Sequence, residues 1–128
     1  MRTTTPIQQR EREPVSELDL ARVAESRRQA EALSGLRFSI WVGNSEEKPR
    51  ALAERLHAGL EEPDRSVYLV CVVKQRALEI VTGSAARQTL TDEECLLATR
   101  SMREVLAHGD VSEALVRGLG HLGTYAID

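Results

Sequence analysis

Apolar residues along this chain recur with two periods. Leu20, Val23, Ala24, Ala30 and Leu33 follow helical spacing, and Gly35 offers a left-handed stop, so a helix is predicted up to that glycine. Ahead of it, Ser16-Glu17-Leu18-Asp19 can act as a variant capping box, with hydroxyl and carboxylate each accepting an orphan N–H of the first turn. The period then falls to two. Phe38, Ile40 and Val42 share one face of residues 37–42, and Arg37, Ser39 and Trp41 the other, as in a strand with one face committed to a core. The Trp41 indole is expected beneath a covering helix, the competing role being contact with a partner. Pro49 suits a first helical turn, and Leu52, Leu56 and Leu60 follow at i, i+4 and i+8, which predicts a second helix over 49–60.

Glu61-Glu62-Pro63-Asp64 ends that helix, and residues 67–73 are apolar throughout, as a central strand covered on both faces requires. Lys74-Gln75-Arg76 is a polar gap of hairpin length. Residues 77–82 then supply an antiparallel partner with Leu78 and Ile80 on one side. Thr91-Asp92-Glu93-Glu94 is a capping box opening a helix with Cys95, Leu96, Thr99, Met102 and Leu106, closed by His108-Gly109. Asp110-Val111-Ser112-Glu113 caps a last helix whose Ala114, Leu115, Leu119 and Leu122 face inward. The order is α-β-α-β-β-α-α. A helix between the first two strands implies a parallel crossover unit, and the hairpin makes the sheet mixed. With helices for both faces, the expected fold is α/β, a three-layer α/β/α sandwich around a small mixed sheet. Residues 1–15 lack any apolar period and read as a disordered lead-in, 16–123 as one α/β domain, and 124–128 as a tail.

Composition narrows the function classes. A chain of 128 residues needs no second domain. Seventeen Lys and Arg against twenty Asp and Glu leave a net charge of −3, and only Phe38, Trp41, Tyr68 and Tyr125 could stack on bases, so nucleic acid is not an expected partner. No apolar run reaches the ~20 residues that span a bilayer, and the polar N-terminus lacks the apolar stretch of a signal peptide, which makes the cytoplasm the expected location. Cys71 in a strand and Cys95 in a helix are expected to be reduced core thiols.

No Walker loop, dinucleotide fingerprint, nucleophile elbow or zinc motif occurs in the sequence. His57, His108 and His121 share no motif; His108, before a glycine, fits dipole compensation at a helix end, with a ligand or proton-shuttle role as the alternative. Carboxylates gather at two helix starts, where capping competes with a hard-cation or acid/base role. Asp92 and Asp110 are the candidate ligands, calcium or magnesium the candidate cofactor, and the two would have to converge from different helices. Thr82-Gly83-Ser84 forms a turn whose backbone could approach an anion, the alternative being a plain strand exit with positive φ at Gly83.

The order of elements, together with Ser34-Gly35-Leu36-Arg37-Phe38-Ser39, Leu78-Glu79-Ile80-Val81-Thr82-Gly83, Leu90-Thr91-Asp92, Gly109-Asp110 and Gly118-Leu119, resembles the TPM domain family of the thylakoid photosystem-repair proteins. The likeness is greatest to its short actinobacterial relatives of unknown function and spans residues 15–122. It implies a sheet flanked by helices on both faces. It also implies one of three activities described for the family: weak acid phosphatase, divalent-cation binder, or accessory domain for membrane-protein complexes. Asp92 and Asp110 match the family's acidic positions at helix starts. Where the family has Gly-Tyr-Gly after the hairpin strand, this chain has Thr82-Gly83-Ser84, and Pro14-Val15 stands where an acidic residue is usual. Two readings follow: a non-catalytic interaction or accessory module with a protein partner, or a weak divalent-metal-dependent phosphatase.

Overall fold

The computed structural model describes residues 7–9 and 18–127. Its elements are β1 (Ile7–Gln9), α1 (Leu20–Ser34), β2 (Arg37–Gly43), α2 (Pro49–Ala58), β3 (Ser66–Val72), β4 (Ala77–Thr82), α3 (Asp92–Leu106) and α4 (Val111–Tyr125). Short 3-10 turns at Pro63–Arg65, Val73–Gln75 and Ala86–Gln88 join them. The sheet order is β1-β2-β3-β4. β2 and β3 are parallel, with Ile40 opposite Leu69, and β3 and β4 antiparallel, with Leu69 opposite Ile80. This is the expected mixed sheet, and β3 is buried along its whole length.

β1 departs from expectation. It lies inside the stretch read as disordered, yet pairs parallel to β2 with Ile7 opposite Ile40. Three residues carry no detectable period, whereas an open strand edge offers backbone partners to any extended segment. Ser16 and Glu17 of the expected capping box, and the rest of the lead-in, lie outside the described residues. Asp19 is the N-cap of α1, its carboxylate accepting the Arg22 N–H at 3.0 Å. The other end stops as expected, with Gly35 at φ 77°, and its N–H bonded to the Glu31 carbonyl. At the far terminus α4 runs into the expected tail, and Ala126 is fully buried.

The three layers follow from the strand alternation. Phe38, Ile40, Val42, Leu69, Cys71, Leu78 and Ile80 face one core, closed by α1, α3 and α4. Trp41, Tyr68, Val70, Val72 and Val81 face a smaller one, covered by Leu52, Ala53, Leu56 and Leu60 of the α2 segment. Trp41 is therefore packed beneath a helix. α4 lies between α1 and α3, and small residues allow this: a Cβ on Gly123 would stand 2.9 Å from the Ala30 Cα, and one on Gly118 would strike the Met102 side chain. Among the described residues no helix is long and apolar enough to cross a membrane.

Candidate functional site

α3 separates the two acidic candidates. Asp92 is its first residue, while Asp110 follows its other end and caps α4, accepting the Glu113 N–H at 2.9 Å. Fifteen residues at about 1.5 Å each put them roughly 20 Å apart. The convergence that a shared cation would require is not seen: the two residues stand at opposite ends of one helix. The capping role also divides unevenly. Thr91 caps α3, in a complete box where its Oγ1 accepts the Glu94 N–H at 3.1 Å and Glu94 accepts the Thr91 N–H at 3.0 Å. Asp92 is left to complement the helix dipole.

Around Asp110 the charges are already matched. Glu113 pairs with Arg22 of α1 and, at 3.6 Å, with Arg117. His108 is exposed, its Nδ1 3.0 Å from the Glu104 carbonyl, in keeping with a helix-end role. His57 is buried with Nε2 3.0 Å from the Ser66 carbonyl, and His121 contacts Ser101 at 3.2 Å and stacks on Tyr125. The three histidines occupy three different places, each with a local partner. Among the described residues no three His, Cys, Asp or Glu side chains are grouped to hold a metal ion.

The Thr82-Gly83-Ser84 turn has its polar groups engaged. The Gly83 N–H continues the ladder to the Ser66 carbonyl at 3.0 Å, the Thr82 carbonyl accepts from Arg87 at 2.6 Å, and Ser84 donates to Asp64 at 3.3 Å. A carboxylate thus stands where an anion would approach. Gly83 does not have positive φ, contrary to expectation. Glycine is required because a Cβ there would lie 1.9 Å from the Pro63 carbonyl oxygen, so a turn of the preceding loop presses directly on the strand exit.

The residues that come together do so at β4, the last strand of the sheet among the described residues. A cleft of about 240 Å³ runs between α2 and α3, floored by Leu78, Glu79 and Ile80 and walled by Arg50 on one side and Asp92, Cys95, Leu96, Thr99 and Arg103 on the other. Arg50 bridges it. Its Nε donates to Glu54 at 3.1 Å, and its Nη1 to Glu79 at 3.3 Å and to the Ile80 carbonyl at 3.0 Å. Burial opposes its charge, but the hydrogen bonds to Glu54 and Glu79 prevail and hold the guanidinium above its ordinary range. Burial, reinforced by Asp92 and Glu94, pushes the Cys95 thiol up to about 12, so it is protonated and not a nucleophile at neutral pH. Burial alone does the same to Cys71, again to about 12.

Leu96 was expected to belong to the inward stripe of α3, yet it is 53% exposed, and Leu97 46%. The other expected members, Cys95, Thr99, Met102 and Leu106, are buried, together with Ala98. Sequence reasoning missed the cleft because its floor is a strand edge, a property of sheet order. The available signal was a spare leucine pair, more apolar positions than one helix face can bury.

The chain belongs to the family described as domain of unknown function (DUF5130), which matches residues 2–122. No curated protein matches it. Solved structures do. The BA42 protein from the psychrophilic bacterium Bizionia argentinensis superposes with a TM-score of 0.75 at 14% identity, covering 85% of this chain and 81% of that one. The N-terminal domain of cg2496 from Corynebacterium glutamicum gives 0.76 at 10% identity, covering 94% and 79%. The N-terminal domain of a P. gingivalis protein gives 0.71 at 16%, covering 94% and 80%. At these identities the likeness establishes the shared fold.

Proposed function

Taking membership of a family of unknown function as the premise, we propose that this domain is a non-catalytic interaction or accessory module, of the TPM-like kind, acting on a protein partner in the cytoplasm. The observation that carries the reading is the exposure of two leucines on α3, Leu96 in the wall of the cleft beside β4 and Leu97 next to it on the helix. Exposed leucines are a liability in a protein with no partner and an asset in one that has one. The protonated Cys95 and the distance between Asp92 and Asp110 weigh on the same side, since each removes a component of a catalytic set.

The competing reading, a weak phosphatase using calcium or magnesium, has one observation in its favour: Asp92 and Glu79 border the same cleft. Glu79 is held by Arg50, so a cation would first have to displace a guanidinium. One set of measurements separates the two. The module should retain its cellular partner on a column, Leu96→Glu with Leu97→Glu should lose it, and millimolar calcium or magnesium should leave Tm unchanged. A cation at 100 times its Kd would add about 2.7 kcal/mol of stability. Such a rise, with p-nitrophenyl phosphate hydrolysis that disappears in Asp92→Asn, would replace the module with the hydrolase.

A further inference from the structure

The outward face of α3 carries one stripe. Glu93, Leu96, Leu97 and Arg100 follow at i, i+3, i+4 and i+7, a spacing that stands them one above another on the helix. All four are exposed. Cys95, Ala98, Thr99, Met102 and Leu106 hold the buried side, and at about 100° per residue the stripe lies opposite it, pointing away from the body of the domain. Its two charges lack neighbours. Among the described residues neither Glu93 nor Arg100 has a side-chain hydrogen bond or an ion pair, whereas Glu94 beside them completes the capping box and Arg50 pairs with Glu54 and Glu79. Roughly 10 Å of helix rise separates Glu93 from Arg100, so they cannot satisfy each other.

The stripe is complementary to itself in one orientation. Glu93 and Arg100 are equally distant in sequence from the midpoint between Leu96 and Leu97, with acid on the N-terminal side and base on the C-terminal side. A twofold axis through that midpoint sets a second copy of α3 antiparallel to the first, and brings Glu93 level with Arg100 of the second copy. Both charges lie near the centre line of the stripe, so each points at its opposite. The four leucines meet between the two ion pairs. Parallel pairing would instead set Glu93 and Arg100 each against its own image, where like charges repel. A helix from another protein would need the same order of charges about the same apolar centre, which a second copy has by construction.

We propose that this stripe is a self-association site: two copies of the chain pair antiparallel through α3, with Leu96 and Leu97 at the centre and Glu93 of each on Arg100 of the other. Leucine burial supplies the attraction, and the charges fix direction and register. Two helical turns a side fall well short of the ~20–30 residues a side of a standard interface, so the pair is a weak one, with a Kd on the order of 0.1 mM. The inference rests on the interaction-module reading and names its partner as a second copy.

The test follows the full chain by sedimentation and by 15N amide spectra as its concentration is raised from micromolar to millimolar. Association is expected, with shifts centred on the amides of residues 93–100. The Leu96→Glu, Leu97→Glu variant should stay monomeric. Glu93→Arg alone and Arg100→Glu alone each place like charges along the whole seam and should weaken the pair roughly tenfold, as two exposed ion pairs allow. The variant carrying both reversals should regain the parental affinity, and a mixture of the two single variants should pair more tightly than either alone. All these positions are exposed, so the variants should melt like the parent. A chain that stays monomeric at millimolar concentration, association indifferent to the charge reversals, or amide shifts that avoid residues 93–100 each overturn the proposal. The module reading is judged separately. If the chain stays monomeric while a different cellular protein is retained by the parent and lost in the Leu96→Glu, Leu97→Glu variant, the module stands and the self-pairing falls.

Discussion

The two faces of the sheet are covered unequally. On one, α1, α3 and α4 close over Phe38, Ile40, Val42, Leu69 and Cys71, with α4 sunk between its neighbours at Gly118 and Gly123. On the other, among the described residues, the ten residues of α2 and the Leu60 that follows them cover Trp41, Tyr68 and Val70. A ten-residue helix is about 15 Å long. It can shield the middle of a sheet but not its full width, and the β4 edge beside Arg50 is where its cover ends. The larger apolar cluster therefore lies on the three-helix face, and the cleft at β4 opens between Arg50 of α2 and the wall of α3. The acidic residues at the two ends of α3 serve the starts of two different helices.

The largest effect that would test this contrast is a charge in the larger core. Leu69→Asp should abolish cooperative folding, because an unpaired carboxylate with no access to water offsets much of the ~5–15 kcal/mol that holds a domain together. Val70→Asp, on the α2 face, should do the same, since β3 is buried on both sides. A cooperative melt by circular dichroism from either variant would break the layer assignment.

Alkali should act next, and on both faces: the two cysteines lie on the three-helix face, and Tyr68, whose hydroxyl burial also pushes up, lies beneath α2. The two folded-state thiols titrate near 12, above the roughly 8.5 of an exposed thiol. Their raised pKa contributes stability that is fully present below about pH 8.5 and is lost as pH rises through about 12. Urea midpoints measured across that range should fall, and less steeply in Cys71→Ala with Cys95→Ala. Native protein should also resist a disulfide-exchange reagent at pH 8 until it unfolds.

Truncations give the contrast a scale. Leu69→Ala should cost about 2–5 kcal/mol, and Leu52→Ala, beneath the thinner cover, should lie toward the low end of the same range. Equal costs in denaturant titrations would mean that α2 holds its face as firmly as three helices hold theirs. The glycine seam divides further. Gly123→Ala meets the Ala30 backbone and should cost about 1–3 kcal/mol; Gly118→Ala meets a methionine side chain that can turn aside and should cost less.

The smallest effects belong to the acidic pair. Asn caps nearly as well as Asp, so Asp110→Asn should melt within ~1 kcal/mol of the parent, as should Asp92→Asn, which bears no cap bond. Neither should alter the response of Tm to calcium or magnesium. A cation-induced rise lost in Asp92→Asn alone would move the metal question into the β4 cleft.

Local pattern was enough for most of the fold. The alternation at residues 37–42, the unbroken apolar run of β3, the Thr91 box and the Gly35 stop each encode facing or termination within a few neighbouring residues, where periods of 2 and 3.6 and cap chemistry act. Nothing comparable marked β1, whose three residues take their conformation from the edge of β2. The candidate site was legible only in its parts. Asp92 and Asp110 were visible as carboxylates at helix starts, but whether they meet depends on the helix between them. Gly83 was read as a positive-φ exit, and it is glycine because Pro63, twenty residues away in the chain, presses on it. Leu96 fitted the helical stripe until α4 and the sheet took up the α3 surface that could be buried. By itself the sequence determined which residues share a face. Only the packing of distant segments decided which of those faces stayed uncovered, because burial depends on what lies across from a residue and periodicity records only what lies beside it.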